Sequence, residues 1–470
     1  MDLKTLINEP PLDKIQPKQN GNAIRYVTFN INGFNTLFKY HPWTKFNQDL
    51  NKVFQLLQAD IITLQELKLS VANISSVKNI GHLTNYKSFI SLPKVKKGYS
   101  GVGLFVRIPS VDEPAAVRNN LCVVRAEEGV TGYLNGGDGV EYRDSKDNIG
   151  GYPNIDRDLG LLLDSEGRCV VIELRCNLVV FALYCPANSM ATDEGETFRL
   201  EFLKALLSRC HTLKKQGKEV IIMGDINVSL DLIDSAEGIS DRVKQNLVRN
   251  RPEGYGFETL NYEECLKFKS SKASRALLNS YTIPGIKYDL ALKPNMGDSS
   301  QQFLYDTTRY VLGRKMNVYT VWNTLTNSRA INFGSRIDLI LTSCPKLIQT
   351  VSNADIWPFI LGSDHCPVFT DFDVVEETSV PRAEPTKLDF EARYYYKLYK
   401  SRDISLLFNS KRSTPSPSPI LPSKEQTPDE QQSKKPKLQY VSRKTVQYVS
   451  RKPPAKLDNQ KGITNFFNVN

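Results

Sequence analysis

From Ile24 to about Phe372, short apolar runs rich in Val, Ile, Leu and Phe alternate with longer amphipathic stretches. Runs of four to seven such residues bounded by Gly, Asn, Asp or Pro predict strands at Arg25–Asn30, Ile61–Leu64, Gly103–Arg107, Val170–Leu174, Val179–Tyr184, Val220–Gly224, Ile337–Leu341 and Val368–Phe372. Apolar positions at helical spacing predict helices at Thr44–Gln58 and Glu194–Lys215. The alternation implies an α/β domain on packed sheets, with polar motifs on loops at strand ends.

The pattern changes at both ends. Residues 1–22 are polar and Pro-containing and read as a flexible arm. Residues 23–373 form the domain, with 111–158 (rich in Gly, Asn and Asp) and 236–316 (charged, with helical patterns) as insertions or long loops. Residues 374–458 read as a low-complexity basic linker, disordered where Pro and Ser dominate around 411–430. Within it Gln-Tyr-Val-Ser-Arg-Lys occurs at 439–444 and again at 447–452, either a duplication within a linker or a Tyr/Arg/Lys stretch that contacts phosphates and bases.

Composition (40% hydrophobic, 10% aromatic) fits a globular protein with an ample core, and no apolar run is long enough to span a bilayer. Eight cysteines stand singly with no CxxC pair, which argues against a zinc ribbon or disulfide framework and fits a reducing compartment. The net charge of +10 is unevenly placed: residues 411–470 hold twelve Lys/Arg against four Asp/Glu, leaving only +2 for the rest. A polyanion partner therefore requires local basic patches on the body.

Five polar segments sit at the ends of the expected strands: Asn30-Ile31-Asn32-Gly33, Leu64-Gln65-Glu66-Leu67-Lys68, Gly224-Asp225-Ile226-Asn227, Ser335-Arg336-Ile337-Asp338 and Gly362-Ser363-Asp364-His365. Each alone has a plainer reading, as a turn or a helix start. Together they bring several carboxylates toward one sheet edge, where like charges repel unless a cation compensates. Clusters of Glu, Asp and Asn oxygens suit Mg²⁺ or Mn²⁺ and not zinc. Phosphodiester hydrolysis needs such a metal, a base for water, and donors such as Asn227 and Asn188 for the transition state. Asp338 and His365 supply an acid–imidazole pair, in a chain with only four histidines.

This ordered set resembles the endonuclease/exonuclease/phosphatase superfamily, whose fold is a four-layered α/β sandwich of two packed mixed β-sheets flanked by helices. Gly98-Tyr99-Ser100-Gly101-Val102-Gly103, Tyr184-Cys185-Pro186-Ala187-Asn188 and Gly362–Pro367 resemble the exonuclease-III-type AP endonucleases within it, closest to their larger fungal branch, over about residues 24–372. The resemblance implies Asn32, Glu66 and Asp364 as metal residues, supported by Asn30 and Lys68. It implies Asp225 and Asn227 as the acid/base and transition-state pair, Tyr184 as the catalytic tyrosine, and Asp338 with His365 beside the scissile phosphate. A second metal would lie beside Asp225, Asn227 and His365. DNA contacts fall on Tyr99, Asn188, Trp322, Asn332 and Ser335. The implied reaction is hydrolysis 5′ to an abasic site, with removal of blocked 3′ ends and 3′→5′ exonuclease action as related activities. Ser335 and Val321 replace aromatic residues that line the abasic pocket in animal relatives, which leaves 3′-end processing as well supported as internal incision. Competing readings are an RNA deadenylase or inositol-phosphate phosphatase of the same fold, and a non-catalytic scaffold.

The last residues, 459–470, contain Gln460, Ile463, Phe466 and Phe467 in the order Gln-x-x-Ile-x-x-Phe-Phe, which resembles the peptide that docks on the sliding clamp, PCNA. A single 3₁₀ turn would present Ile463, Phe466 and Phe467 on one side. Lys434-Lys435-Pro436-Lys437 reads as an import signal or a chance basic run. The expectation is a monomeric nuclear enzyme that acts on duplex DNA and has no membrane partner.

Overall fold

The computed structural model describes residues 10–398 apart from 78, 95–97, 191, 250–252, 284–300, 375–384 and 386. The QYVSRK repeat, the basic run Lys434–Lys437 and the residues expected to dock on the clamp, Gln460, Ile463, Phe466 and Phe467, lie outside the described residues. In chain order the strands are β1 (Ile24–Asn30), β2 (Ile61–Gln65), β3 (Tyr86–Ser91), β4 (Val102–Arg107), β5 (Val123–Glu128), β6 (Cys169–Leu174), β7 (Leu178–Tyr184), β8 (Glu219–Asp225), β9 (Tyr305–Asp306), β10 (Val321–Trp322), β11 (Gly334–Ser335), β12 (Asp338–Thr342), β13 (Val351–Ile356) and β14 (Val368–Phe372). They form two six-stranded mixed sheets, ordered β13-β14-β1-β2-β4-β3 and β5-β6-β7-β8-β12-β9, and a ribbon of β10 and β11.

The inner strands are buried on both faces, and their side chains sort by the period of two. In β1, Ile24 and Tyr26 enter the cluster between the sheets, while Val27 and Phe29 pack outward beneath the helix Leu50–Leu56. In β7 and β8, Val180, Ala182, Ile221 and Met223 point between the sheets. Phe181, Leu183, Val220 and Ile222 face the long helix Asp193–Lys215, which is capped by Thr192. Helix, sheet, sheet and helix make the four layers. The buried fork of Arg25 on Asp371, two contacts of 2.7 Å, pins β1 to β14 at a register pair.

The eight expected strands are present within one or two residues at either end. Of the other six strands, β10 and β11 form the ribbon, β9 is a two-residue edge, and β3, β5 and β13 are the longer sheet edges. Their sequences mix polar and apolar residues and lack the continuous apolar run of the inner strands. The helix expected over Thr44–Gln58 is corrected to a 3₁₀ turn, Trp43–Phe46, and a helix, Leu50–Leu56. Asn47 and Gln48 break it in the left-handed region, and Asp49 restarts it by accepting from Asn51 N.

Both regions read as insertions carry regular structure. Residues 111–158 contain the helix Ala115–Leu121 and β5, so they complete the second sheet. Residues 236–316 contain helices Ala236–Lys244, Tyr255–Leu260, Tyr262–Ser270, Ala273–Tyr281 and Thr307–Leu312. Leu12 and Ile15, in the expected arm, are buried. Residues 387–398, in the expected linker, also pack on the sandwich: Glu391 bridges Phe89 on β3, Tyr395 donates to Glu128 on β5 at 3.1 Å, and Phe390 is buried between the sheets. None of the eight cysteines, all of them among the described residues, forms a disulfide. Among the described residues no helix is long and apolar enough to cross a membrane.

Candidate active site

The strand period that builds the core also builds the site. Ile221, Met223 and Asp225 share one face of β8. Tyr184 is the register partner of Asp225 on β7, and Asp338 is its partner on β12. Asn30 continues the inward row of Ile24 and Tyr26 on β1. Four polar side chains thus end the inter-sheet rows at one edge. Beneath them, Thr28, Thr63 and Gln65 bond to one another at 2.6–3.3 Å, a polar floor where the apolar core stops.

Asn30 couples the two sheets: its Nδ2 donates to Glu66 Oε1 at 3.1 Å and to Asp225 Oδ2 at 2.9 Å. Asn32 Nδ2 donates to Asp364 Oδ1 at 2.9 Å, and Lys68 Nζ donates to Asn32 Oδ1 and pairs with Glu66 Oε2 at 3.0 Å. Glu66 and Lys68 have φ of 52° and 53°, left-handed values uncommon for their residue types. The loop is held there by Leu67 N on Gly101 O and Lys68 N on Ser100 O, at 3.0 and 2.9 Å. These bonds give the Gly98–Gly103 segment a structural role. Gly224 is required by close approach: a Cβ there would lie 2.0 Å from Leu183 O, so a side chain would push β7 and β8 apart just before Asp225.

His365 Nδ1 donates to Asp338 Oδ2 at 2.8 Å, and its Nε2 lies 3.9 Å from Asp225 Oδ2. Burial opposes the charged imidazole, but the Asp338 carboxylate outweighs it and raises His365 to about 10. Burial first, then the charge of Asp338, pushes Asp225 up to about 8. Burial, reinforced by Glu66 and Asp225, holds the Tyr184 hydroxyl well above its ordinary value. Asn227 N donates to Asp225 Oδ1 at 3.0 Å, and its Nδ2 to Cys185 O at 2.9 Å. The expected catalytic and metal residues therefore converge, and Asp338 with His365 forms the expected pair.

The expected DNA-contact set divides. Tyr99 and Asn188 are half-buried and Asn332 is exposed. Asn188 caps its own loop, donating to Thr192 O at 3.1 Å and accepting from Thr192 N at 3.1 Å. Trp322 and Ser335 are only 3% and 2% exposed. Trp322 anchors the ribbon instead of presenting a free ring: its Nε1 donates to Asn332 Oδ1 at 3.1 Å and Arg329 covers its face at 4.4 Å.

Two arginines escaped the sequence reading. Arg329 donates to Ser363 O at 2.9 Å and Ile360 O at 2.7 Å, fixing the Asp364–His365 loop. Arg168 lies under Tyr99 and Tyr184, 5.3 and 4.9 Å from their ring centres, and donates to the Tyr99 hydroxyl. Neither sits in a motif, so no local signal could have found them.

The donor set fits a hard divalent cation. Four carboxylates, Glu66, Asp225, Asp338 and Asp364, stand in this hydrogen-bonded network beside the cations His365 and Lys68. Asp225, Asp338 and His365 can place ligand atoms within 4.8 Å of one another, and Asp338 Oδ1 is buried without a hydrogen-bond partner. A second cluster, Asp231 with Glu258 and Cys265, is already neutralised by Arg314 and Lys269.

The charge state predicts a pH dependence for the metal-free protein. Native Asp225 keeps its proton to about 8, against about 4 unfolded, and His365 to about 10, against about 6.5. From about 6.5 to about 8 the native state binds more protons at both sites, so stability falls as pH rises. Tm should drop over that window and drop less in Asp225→Asn. Mg²⁺ should raise Tm more at pH 8 than at pH 6.5, because carboxylate ligands bind deprotonated. A metal-free Tm that is flat or rising there contradicts this electrostatic account.

A family model for the endonuclease/exonuclease/phosphatase family matches residues 27–365. The chain is 43% identical over 403 residues to DNA-(apurinic or apyrimidinic site) endonuclease 2 of Saccharomyces cerevisiae, covering 83% of this chain and 74% of that one. It is 33% identical to the Schizosaccharomyces pombe protein of the same name over 353 residues, 74% of this chain and 58% of the relative. The crystal structure of the Xenopus laevis APE2 catalytic domain superposes with a TM-score of 0.56 at 25% identity, covering 79% of this chain and 97% of that domain.

Proposed function

Because this chain belongs to the endonuclease/exonuclease/phosphatase family, we propose that it is a metal-dependent DNA-repair nuclease that hydrolyses phosphodiesters 5′ to abasic sites and removes 3′-blocking groups, as a 3′-phosphodiesterase and 3′→5′ exonuclease. The observation that carries the reading is the meeting of Glu66, Asp225, Asn227, Asp338, Asp364 and His365 at one sheet edge, in a chain similar over most of its length to proteins named for abasic-site cleavage.

Asn32, Glu66 and Asp364 would hold Mg²⁺, for which Mn²⁺ can substitute, with a second ion beside Asp225, Asn227 and His365. Bound there, the metal supplies charge neutralisation at the phosphoryl and leaving oxygens. The chain's own residues do the rest. Asp225, which burial raises to about 8, takes the proton of the attacking water when it is ionised. Charged His365, oriented by Asp338, donates Nε2–H to a phosphate oxygen. Asn227 has one amide hydrogen on Cys185 O and offers the other to the transition state. Tyr184 keeps its hydroxyl hydrogen and donates it to the same phosphate. As the water oxygen bonds to phosphorus the P–O3′ bond breaks, and the leaving 3′ oxygen takes a proton from solvent, so one product strand ends in a 3′-hydroxyl and the other keeps the 5′-phosphate.

The substrate reading is tested by incubating the protein and Mg²⁺ with an abasic duplex, a 3′-blocked nick, poly(A) and an inositol phosphate. Cleavage of the two DNA substrates is expected; cleavage of only the last two overturns the reading. Comparing rates on an internal abasic site and a recessed 3′ end in the same metal ranks the two DNA activities. The protein is read as a nuclear monomer tethered to the sliding clamp by Gln460, Ile463, Phe466 and Phe467. Phe466→Ala with Phe467→Ala should abolish clamp binding and leave cleavage of short free duplexes unchanged. Unchanged clamp affinity would refute the docking role.

A further inference from the structure

Strand β12 carries Asp338 and is flanked unequally. On one side β8 pairs along its whole length, from Asp225 opposite Asp338 to Ile221 opposite Thr342. On the other side β9 reaches only Leu341 and Thr342. Buried backbone groups at the catalytic end need other partners, and threonine hydroxyls supply them. Thr320 Oγ1 accepts from the N–H groups of Ile337 and Asp338 at 3.1 and 3.2 Å. Farther from the site, Thr307 Oγ1 donates to Ile340 O at 2.9 Å and bonds Thr370 Oγ1 at 2.7 Å.

The main chain of Thr320 reaches the other half of the pair. Its carbonyl accepts from Cys366 N at 2.9 Å, the residue after His365, and its N–H donates to Ser335 O at 2.9 Å. The next two residues continue the contact: Val321 bridges His365, and Trp322 N donates to Asp364 O at 3.0 Å. Thr320 is fully buried. The Asp338 carboxylate has few restraints of its own, since Oδ2 accepts from His365 and Oδ1 has no hydrogen-bond partner. Its position therefore follows its backbone, which is held by β8 on one side and by the Thr320 hydroxyl on the other.

We infer that Thr320 is a positioning residue for the Asp338–His365 pair: its hydroxyl sets the start of the strand that carries the acid, and its peptide sets the segment that carries the imidazole. The kinetic consequence rests on the pair serving the phosphodiester chemistry proposed above; the structural consequence does not. Thr320→Val preserves shape and removes the acceptor. Thr320→Ser retains it. Thr307→Val removes a buried hydroxyl from the same strand away from the site and controls for general destabilisation.

The full-length variants are compared by the low-field imidazole N–H proton of His365 in ¹H NMR of the metal-free protein. With four histidines in the chain, that signal is identified by its loss in His365→Ala. The second readout is kcat and KM on an abasic duplex with Mg²⁺. Thr320→Val should lose or shift the proton and lower kcat by about 10²-fold, with KM changed by less than about threefold. Thr320→Ser and Thr307→Val should keep the proton and most of kcat, although Thr307→Val lowers Tm. If Thr320→Val does not fold, Thr320→Ala, whose smaller side chain admits a water to the two N–H groups, is read by the same criteria. An unshifted proton with unchanged kcat overturns the inference, and so do equal kcat losses in Thr320→Val and Thr307→Val. If Thr320→Val loses the proton while it and His365→Ala both cleave at the wild-type rate, the positioning role stands and the catalytic reading of the pair falls.

Discussion

Glu66→Ala is expected to lower turnover on an abasic duplex by about two orders of magnitude or more. Glu66 is where three parts of the site meet: it accepts from Asn30, pairs with Lys68, and adds its charge to that of Asp225. Removing it takes a ligand from the expected metal set and frees Lys68 to occupy the vacated space. The loss should therefore appear first as a raised Mg²⁺ requirement, with part of the rate recovered at high metal concentration. A near-normal rate at low Mg²⁺ would remove Glu66 from the metal set and leave it as a partner of Asn30 and Lys68 only. The backbone makes the result easy to interpret, because Leu67 and Lys68 are held by Gly101 and Ser100 independently of the Glu66 side chain.

His365→Ala should cost a similar factor in kcat with a different signature. No rise in metal concentration should restore it, since the group lost is the donor to the phosphate. The substitution also strands the buried Asp338 carboxylate, and breaking such a pair costs about 3–5 kcal/mol, so a lower Tm is expected. Asp338→Asn tests the pair as a unit. If acid and imidazole act together, the double variant loses little more than either single variant. Near-wild-type turnover in His365→Ala would count heavily against the site assignment, and fully additive losses would mean that the two residues act separately.

Much of the site was legible because each motif lies at one end of a strand, following it or leading into it. Asn30-Ile31-Asn32-Gly33 and Gly224-Asp225-Ile226-Asn227 follow unbroken apolar runs, and polar residues at the end of a buried strand have little to do for packing. Adjacency singled out His365, the one histidine of four that stands next to an acid, Asp364, at a strand start; its pairing with Asp338 came from the resemblance. The residues that were missed act at a distance along the chain. Arg329 serves carbonyls about thirty residues away, Arg168 reaches Tyr99 across 69 residues, and Thr320 meets Asp338 across 18. No spacing rule links such pairs. Trp322 and Ser335 were expected to contact DNA, and their burial depends on Arg329 and on the β10–β11 ribbon, which short local patterns do not reveal.

The sequence by itself determined the inner strands, the long helix Asp193–Lys215, the identity of the acidic and imidazole groups, and the family. These follow from periodicity and from residue types whose chemistry does not depend on neighbours. Only the tertiary structure decided that Asp225 stands between Tyr184 and Asp338 in one row across three strands. It also decided that Asn30 bridges the two sheets, that residues 111–158 supply an edge strand, and that residues 387–398 span the edges of both sheets. The physical reason is register: a shift of one residue in β8 or β12 would turn Asp225 or Asp338 to the opposite face. Register is set by packing between distant segments, which a single chain read in order does not contain.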